Sequence, residues 1–574
     1  MIDLQAQLTG RDYRFVRPRL FGVVCLSSLA FVGIFWGSLA HAQVGAPPAN
    51  INPGAIQQGI EQQRQQFEQQ PVPKLKGPAV IGPGREKPPA ASGGPKFHLK
   101  KVKFDRSKFL SREELNAIAA KYVGKDVDIG GLQQLVADVN ALYAEKGIVT
   151  GIATLPEQDA NTGVIHIKLT EGRLQKIDVT GNVQTSADYI LHRVQEPVGE
   201  VLDVPKLNRD VTWFNRTNDV QVKALLQPGS SFGLTDLNFA VVEPPRDTLQ
   251  LFYDNQGLQT TGEVEEGIFY KRHSLLGMDD RFTFYGVVAN GNLNGNAAYN
   301  IPINDWGGRL GVSYTQGQIR IVDGPFLPLD VTGTSRVAAT NFSQPLFATV
   351  NWLVLANIAV NYGTTLSDFS AVAVTNDYYY RGVAGAAVTY SNDTFSATVS
   401  PAFNQIAWHD NILGGDRSFQ TFTGSASIQV RLPEKLSIAI LGSAQGTGER
   451  LLPGDQVFLI GGPTTVRGYP TQAVAGDSGY YYNFELHRDW TDQVKSLESH
   501  EKALDTYIFL DQGAVFSASP AEIDLLSVGA GASWTPWAPL TFEGSFGIPL
   551  LAAVPVQPHY QIYGRVIFKP LLLL

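Results

Sequence analysis

The chain has 574 residues and a formal net charge of −8, with 45 Lys plus Arg against 53 Asp plus Glu. This acidic balance argues against a nucleic-acid-binding protein. Only 17% of the residues are charged, below the roughly 25% usual in soluble domains, whereas glycine (57 residues) and tyrosine (21) are frequent. The composition therefore predicts a β-rich, turn-rich protein with a partly apolar exterior.

The N-terminus has the pattern of an export signal. Four arginines within the first 19 residues precede the uncharged run Leu20–Leu39, and Ala40-His41-Ala42 follows. Such a pattern is typical of a secretory signal peptide, here residues 1–42 with cleavage before Gln43. The alternative is a retained membrane anchor, because twenty apolar residues can span a bilayer. Cleavage would remove Cys25, the only cysteine, so the exported chain would hold neither a disulfide nor a thiolate metal site.

Residues 43–70 contain a Gln-rich stretch with Ile56, Ile60 and Phe67 at helical spacing. An apolar stripe this thin cannot hold a helix in water alone, so the segment either docks as a helix or is disordered. Residues 71–96 contain seven prolines. They disfavour helix and ladder pairing and predict a semi-rigid extended linker.

Two modules of about 75 residues are predicted next. Residues 97–172 show the order β-α-α-β-β, and Ser111 and Glu114 form a capping box at the first helix start. Residues 173–245 repeat the plan, with a helix from about Ser186.

Strands near the end of the second module carry Val220 and Val222. Small mixed sheets leave strand edges open, and an open edge can pair with an extended peptide from another chain. Val220 and Val222 are therefore candidate partner-binding positions, provided that their strand lies at an edge.

From residue 246 onward the chain alternates apolar and polar residues between turns rich in Gly, Asn and Asp, as in Thr423–Leu432. After Gln43 no apolar run reaches the roughly 18 residues of a spanning helix, so a membrane domain here has to be a closed β-barrel. A large soluble β-sandwich also alternates, but the export signal, the missing cysteines and the aromatic strand Tyr560–Phe568 favour the barrel. At roughly 20 residues per strand with its connection, residues 246–574 hold about sixteen strands.

Two motifs in this region carry a family resemblance. Val466-Arg467-Gly468-Tyr469 lies within residues 452–482, and Phe509-Leu510-Asp511-Gln512-Gly513 follows. They are similar to the VRGY signature of an inward-folded loop and to its F-x-D-x-G partner strand. The first module also has Leu155–Asp159 and Glu171–Arg173 in common with a POTRA domain. The chain resembles the outer-membrane transporters of two-partner secretion, the haemolysin secretion/activation family.

The resemblance implies two α+β POTRA modules in the periplasm, at 97–172 and 173–245, followed by an antiparallel transmembrane barrel of sixteen strands at 246–574. It implies that the POTRA pair captures an unfolded haemolysin- or haemagglutinin-like partner, that the barrel conducts it through the outer-membrane lipid, and that residues 43–70 plug the lumen at rest. Arg467 would pair with Asp511 on the barrel wall. The family also implies contacts with the barrel-assembly machinery and periplasmic chaperones, and localisation in a Gram-negative outer membrane.

The sequence predicts no enzyme, no catalytic residue, no cofactor and no metal site. Gly476-Asp477-Ser478-Gly479 matches the nucleophile motif of chymotrypsin-like proteases, but no oriented histidine base or disulfide frame accompanies it. No phosphate-binding G-x-x-x-x-G-K-[ST] motif occurs. Two rival functions are a barrel-assembly insertase of the same superfamily, which usually has more than two modules, and a porin-like channel, which needs none.

Overall fold

The structure is a computed structural model that describes residues 49–68, 77–82, 93, 95–491, 503–516, 522–554 and 557–570. The predicted signal peptide, residues 1–42, lies outside these described residues. None of the helices within them has the length and the apolar character needed to cross a bilayer.

The Gln-rich segment forms helix α1 (Pro53–Glu68), preceded by a 3-10 turn at Ala49–Ile51. Asn52 caps the helix, since its Oδ1 accepts the Gly54 and Ala55 N–H groups at 2.9 and 3.1 Å. Further along, Val80–Ile81 form strand β1, which pairs in parallel with a strand of the second module. The prolines of residues 71–96 disfavour ladder pairing but do not prevent it at Val80–Ile81. An open strand edge nearby outweighed the local preference of a proline-rich segment.

The first module contains two helices and two small sheets. Its elements are β2 (Phe97–His98), β3 (Lys101–Phe104), α2 (Arg112–Ala119), β4 (Asp126–Val127), α3 (Ile129–Glu145), β5 (Gly151–Thr154) and β6 (Val164–Glu171). Strands β3, β6 and β5 form one sheet, and β2 pairs with β4. The predicted capping box at Ser111 and Glu114 is confirmed.

The second module packs two helices on a four-stranded sheet. Its own elements are β7 (Arg173–Thr180), α4 (Ala187–Arg193), α5 (Val204–Thr217), β8 (Gln221–Pro228) and β9 (Leu234–Val242). The strand order is β1-β8-β9-β7, so the linker strand completes the sheet. Helix α5 buries Leu207, Val211 and Phe214 in the module core, and each such side chain contributes about 1.5–3 kcal/mol by leaving water.

Val220 and Val222 do not form an open partner-binding edge. Both side chains are fully buried, and Val220 precedes β8 rather than lying in it. The strand has neighbours on both sides, β9 and the linker strand β1. Alternate residues of β8 face α5, which explains why these valines fill the core and why only main-chain atoms of β8 reach its edge.

Sixteen strands of the described chain form a closed antiparallel barrel. Its strands, with the loop hairpin β21–β22 in chain order, are β10 (Asp247–Asp254), β11 (Glu265–His273), β12 (Arg281–Ala289), β13 (Asn292–Pro302), β14 (Arg309–Arg320), β15 (Val331–Ala348), β16 (Trp352–Phe369), β17 (Val372–Ser391), β18 (Phe395–Asp410), β19 (Gly415–Arg431), β20 (Leu436–Gly446), β21 (Phe458–Ile460), β22 (Val474–Gly476), β23 (Ser478–Asp489), β24 (Ala503–Phe516), β25 (Ile523–Trp537), β26 (Leu540–Pro549) and β27 (Gln561–Phe568). Short pairing between β10 and β27, from Leu251↔Phe568 to Asp254↔Arg565, closes the ring.

The outer face of the barrel is apolar, as contact with lipid requires, and the inner face is polar, as contact with water allows. Along β14, Leu310, Val312 and Tyr314 point outward and are exposed, whereas Thr315 and its neighbour Asn296 on β13 are buried inside. The predicted order, two α+β modules followed by an antiparallel sixteen-stranded barrel, is confirmed.

Candidate functional site

The connection from β20 to β23 folds back into the barrel. Residues 447–477 include the hairpin β21–β22, and the Asp477 carboxylate fixes its base by accepting the Leu451 and Leu452 N–H groups at 3.1 and 2.8 Å. We call residues 447–477 the inward loop. Its hairpin packs on a small apolar cluster with Val515 and Leu525 of the barrel wall. The loop therefore has its own core inside the lumen.

Arg467, at the tip of the inward loop, binds the barrel wall. Its Nε and Nη2 each lie 2.7 Å from an Asp511 carboxylate oxygen, and its main-chain N–H donates to Asp511 Oδ2 at 3.0 Å. Nη1 lies 2.6 Å from Glu485 Oε1. The guanidinium thus makes a two-pronged bond to one strand and an ion pair to the next.

This ion cluster is almost fully shielded from water, with Arg467 5% and Asp511 0% exposed. Burial alone would lower the pKa of Arg467, but the hydrogen bonds to Asp511 and the charges of Asp511 and Glu485 outweigh it and raise that pKa. The arginine therefore stays charged at every physiological pH. Removing one member of such a pair is expensive, about 3–5 kcal/mol, because a buried charge is left without its partner.

The other residues of the F-x-D-x-G strand motif shape the place where the arginine docks. The Phe509 ring lies 3.6 Å from the guanidinium carbon of Arg467, a cation–π distance. A Cβ atom at Gly513 would lie 3.1 Å from Val466 Cγ2 and 2.9 Å from the Tyr480 carbonyl oxygen. The glycine therefore leaves room for Val466, which is fully buried.

Gly468 and Tyr469 complete the contact of the loop tip. Gly468 has φ +90°, and its missing Cβ would lie 3.1 Å from Pro549 N, so the loop backbone touches β26 directly. The Tyr469 hydroxyl lies 2.9 Å from the Leu551 carbonyl oxygen, and Tyr563 donates to the Tyr469 carbonyl oxygen at 2.6 Å. The structure thus brings all seven motif residues to one site, including the predicted pair Arg467 and Asp511.

Gly468→Ala is expected to loosen the inward loop, because the new Cβ would force both a strained positive φ and a clash with the backbone of β26. Trypsin treatment of outer membranes should then cleave the loop after Arg450 or Arg467. Gly448→Ala is the matched control, since Gly448 lies in the same loop without a positive φ and with nothing within 4 Å of its Cβ position. Equal protection of both variants would contradict the tight contact.

Sequence reasoning missed Glu485 as the second acid of Arg467. Neighbouring antiparallel strands place Glu485 of β23 opposite Phe509 of β24, two positions from the Asn483↔Asp511 pair. Alternate residues of β23 face the same side, so Glu485 shares a face with Asn483, the register partner of Asp511. Predicting this contact from the sequence would have required the register of β23 against β24.

Helix α1 lies in the lumen and contacts the barrel wall through an aromatic cluster. The Phe67 ring centroid lies 4.8 Å from that of Phe252, and 5.8 Å from those of Phe269 and Tyr285. The Arg565 guanidinium stacks over Phe67 at 5.0 Å. Because these wall residues belong to β10, β11, β12 and β27, the C-terminal end of α1 sits at the closure of the barrel.

The N-terminal half of α1 contacts the inward loop. Gln472 Nε2 donates to the Ala55 carbonyl oxygen at 3.2 Å, and Gln58 donates to the Asp455 carbonyl oxygen. A Cβ atom on Gly54 would clash with Asp455 Cβ, so helix and loop are in direct contact there. Burial raises the pKa of Asp455 to about 6. Helix and loop therefore form one polar filling of the lumen.

Cavities remain beside this filling among the described residues. One, of about 530 Å³, lies between α1, the inward loop and the wall near Arg381 and Asn404, and another, of about 250 Å³, adjoins Arg467 and Arg565. A helix of 16 residues is about 24 Å long, close to the roughly 25 Å apolar band of such barrels.

One group in the described part of the chain has metal-ligand spacing: Asp219, His273 and Asp279. Asp219 lies 3.1 Å from Arg281 and Asp279 lies 3.2 Å from Arg309, so two arginines already balance the two carboxylates. Asp279 also accepts the Asp219 N–H at 3.0 Å. The cluster joins the second module to the turn after β11, and its charge balance gives no reason to assign a cation.

Comparisons with known proteins agree with this architecture. Residues 97–172 match the model of the POTRA domain, ShlB-type, and residues 233–534 match that of the haemolysin secretion/activation protein ShlB/FhaC/HecB. The outer membrane transporter CdiB of Dickeya dadantii is 26% identical over 496 residues, 82% of this chain and 85% of that protein. The heme/hemopexin transporter protein HuxB of Haemophilus influenzae is 24% identical over 569 residues, 94% of this chain and 96% of that protein.

A solved structure of CdiB from Escherichia coli has the same fold, with a TM-score of 0.66 and 21% identity over 92% of this chain and all of that one. The relatives named above by sequence are transporters. Since the haemolysin secretion/activation model covers more than half of the chain, the protein belongs to that family and is an outer-membrane translocator of the two-partner secretion type, with POTRA domains on the periplasmic side.

Proposed function

We propose that this translocator captures an unfolded haemolysin- or haemagglutinin-like partner in the periplasm and passes it through the lumen to the cell surface. The observation that carries the proposal is that a polar helix occupies a polar lumen. The lumen is lined by polar residues and occupied by a separate polar helix, α1, joined to the rest by a linker. Helix α1 can leave without breaking the barrel, because every barrel strand is paired with its neighbours.

The inward loop has a different role in the proposal. Arg467 and Asp511 anchor the loop to β24, and Val466, Gly468, Tyr469, Phe509 and Gly513 shape the contact. The loop stays docked on the wall and keeps one side of the lumen ordered while the partner passes. The POTRA modules receive the partner by strand addition, with periplasmic chaperones delivering it and the barrel-assembly machinery inserting the transporter itself.

Export of the protein's own partner tests the proposal. A large exported β-repeat protein encoded in the adjacent reading frame, expressed with and without this chain, should reach the medium or the cell surface only when the chain is present. The level of other outer-membrane barrels in the same cells should not change, whereas an insertase would alter it. Equal surface delivery of the partner without this chain would refute the proposal.

A further inference from the structure

The linker strand β1 occupies the edge of the second POTRA sheet. Val80 lies opposite Ala224 and Ile81 opposite Leu225 in parallel register, and the Ala224 N–H donates to the Ala79 carbonyl oxygen at 2.9 Å. Ala79 and Val80 pack against the hydrophobic core of the module. The linker thus supplies both hydrogen bonds and apolar side chains to this edge.

The next main-chain groups along this edge are bonded by a side chain of the module. Asn215 Nδ2 donates to the Val222 carbonyl oxygen, and the Val222 N–H donates to Asn215 Oδ1, both at 2.8 Å. Alternate residues of an edge strand present their N–H and C=O groups outward. From Val222 to Leu225, therefore, the edge of β8 is closed by atoms of the same chain.

The linker pairing is weak enough to be exchanged. Strand β1 is two residues long, and each hydrogen bond contributes only about 0.5–1.5 kcal/mol net. Ile81 is 40% exposed, so of the two side chains of β1 only that of Val80 packs on the module. A longer extended segment with small or β-branched apolar residues in the positions of Ala79 and Val80 would make the same bonds and add others further along β8.

Pairing of β1 also sets the length of the tether that holds α1. In the chain, residues 69–79 separate Glu68 from Val80 of β1, and residues 69–96 separate Glu68 from Phe97 of β2. The effective concentration of a tethered group falls as about the −3/2 power of tether length. Lengthening the tether from eleven to 28 residues lowers the effective concentration of α1 at the lumen about fourfold.

We propose that β1 is a placeholder strand, which the extended segment of the secreted partner displaces, and that this displacement lengthens the tether of the plug helix α1. The inference rests on the proposed function, because it assumes a partner that binds by strand addition. It links capture in the periplasm to opening of the lumen without any contact between the two sites.

The first test needs no partner. In Val80→Asp/Ile81→Pro the apolar contact and a main-chain donor of β1 are lost, while Ala90→Asp/Ala91→Pro makes the same changes elsewhere in the linker. In planar bilayers the first variant should show an open fraction about fourfold above that of the unchanged protein and the control. A labelled peptide of residues 77–84 should bind the first variant only. An unchanged open fraction together with no peptide binding would overturn the inference.

The second test locks the strand. Ile81→Cys/Leu225→Cys joins register partners at the spacing of neighbouring strands, about 4.8 Å, which a disulfide can bridge. The oxidised variant should export the partner at least about fivefold less than the Ile81→Cys control, and a reductant should restore export. Normal export by the oxidised variant would overturn the inference. If even the unchanged protein exports nothing, the proposed function fails, whereas the peptide experiment still decides whether β1 is a displaceable strand.

Discussion

Arg467→Ala is expected to lower export of the partner at least about tenfold while the barrel remains folded. The substitution removes the guanidinium that neutralises Asp511 and Glu485 and stacks on Phe509. Asp511 would lose the guanidinium that binds its carboxylate, whereas Glu485 would keep His487 Nε2 at 2.9 Å. Breaking such a buried pair costs about 3–5 kcal/mol, which corresponds to about two to four powers of ten in the population of the docked loop. The loop would then move freely in the lumen, and the ordered path along the wall would be lost.

Export is measured as partner in the medium, and folding as the heat-dependent shift of the barrel on gels. Arg467→Lys keeps the charge but not the two-pronged geometry, so its export should be intermediate. Arg320→Ala is the control, because Arg320 pairs with Asp330 on the exposed surface, where such pairs contribute little. Arg467→Ala/Asp511→Ala should export more than Arg467→Ala alone, since one unpaired buried carboxylate is gone. Full export by Arg467→Ala would remove the loop anchor from the mechanism.

The barrel could be predicted from the sequence because its rules are local. Alternation in Thr423–Leu432 records which side of β19 meets lipid, and that pattern needs no knowledge of the neighbouring strands. The same holds for the helix starts at Ser111 and Ser186, where each serine oxygen bonds a main-chain N–H three residues later. Fold class and module order can therefore be predicted from patterns that lie within a single strand or helix.

The site was only partly predictable, because its partners are distant in sequence. The family resemblance implied the pair Arg467 and Asp511, but not Glu485, whose position depends on the register of β23 against β24. The aromatic contact of Phe67 with Phe252, Phe269 and Tyr285 could not be predicted from the sequence either. The sequence left the segment either docked or disordered, because a stripe of three apolar residues does not identify the surface that covers it.

For the linker strand β1, local sequence preference pointed away from the pairing that the structure contains. Val80–Ile81 lie between Pro78 and Pro83, and proline disfavours ladder pairing. Strand β1 nevertheless pairs with β8, because the outward main-chain groups of β8 need hydrogen-bond partners. Val220 and Val222 were predicted at a strand edge, whereas both side chains are buried and β1 covers the edge of β8. Alternation marks which residues of a strand are apolar, but not whether the edge of that strand is already occupied.

Phe67→Ala is expected to release the plug helix and to raise the open fraction of single channels in planar bilayers by about two powers of ten, or until opening is complete. Phe67 is 2% exposed and is enclosed by three aromatic rings and the Arg565 guanidinium. Removing a buried phenylalanine ring costs about 3–5 kcal/mol. That loss falls on the docked state of α1 alone, because the freed helix exposes position 67 to water in both proteins.

Gln65→Ala is the matched control, since Gln65 lies on the exposed side of the same helix and alanine favours helix at least as well. Its open fraction should equal that of the unchanged protein. Both variants should give the same heat-dependent gel shift, because the sixteen paired strands do not include α1. Removal of residues 43–70 sets the upper limit of conductance. If Phe67→Ala stayed closed while that deletion opened the channel, the aromatic cluster would not hold the plug, and the contacts of α1 with the inward loop would have to do so.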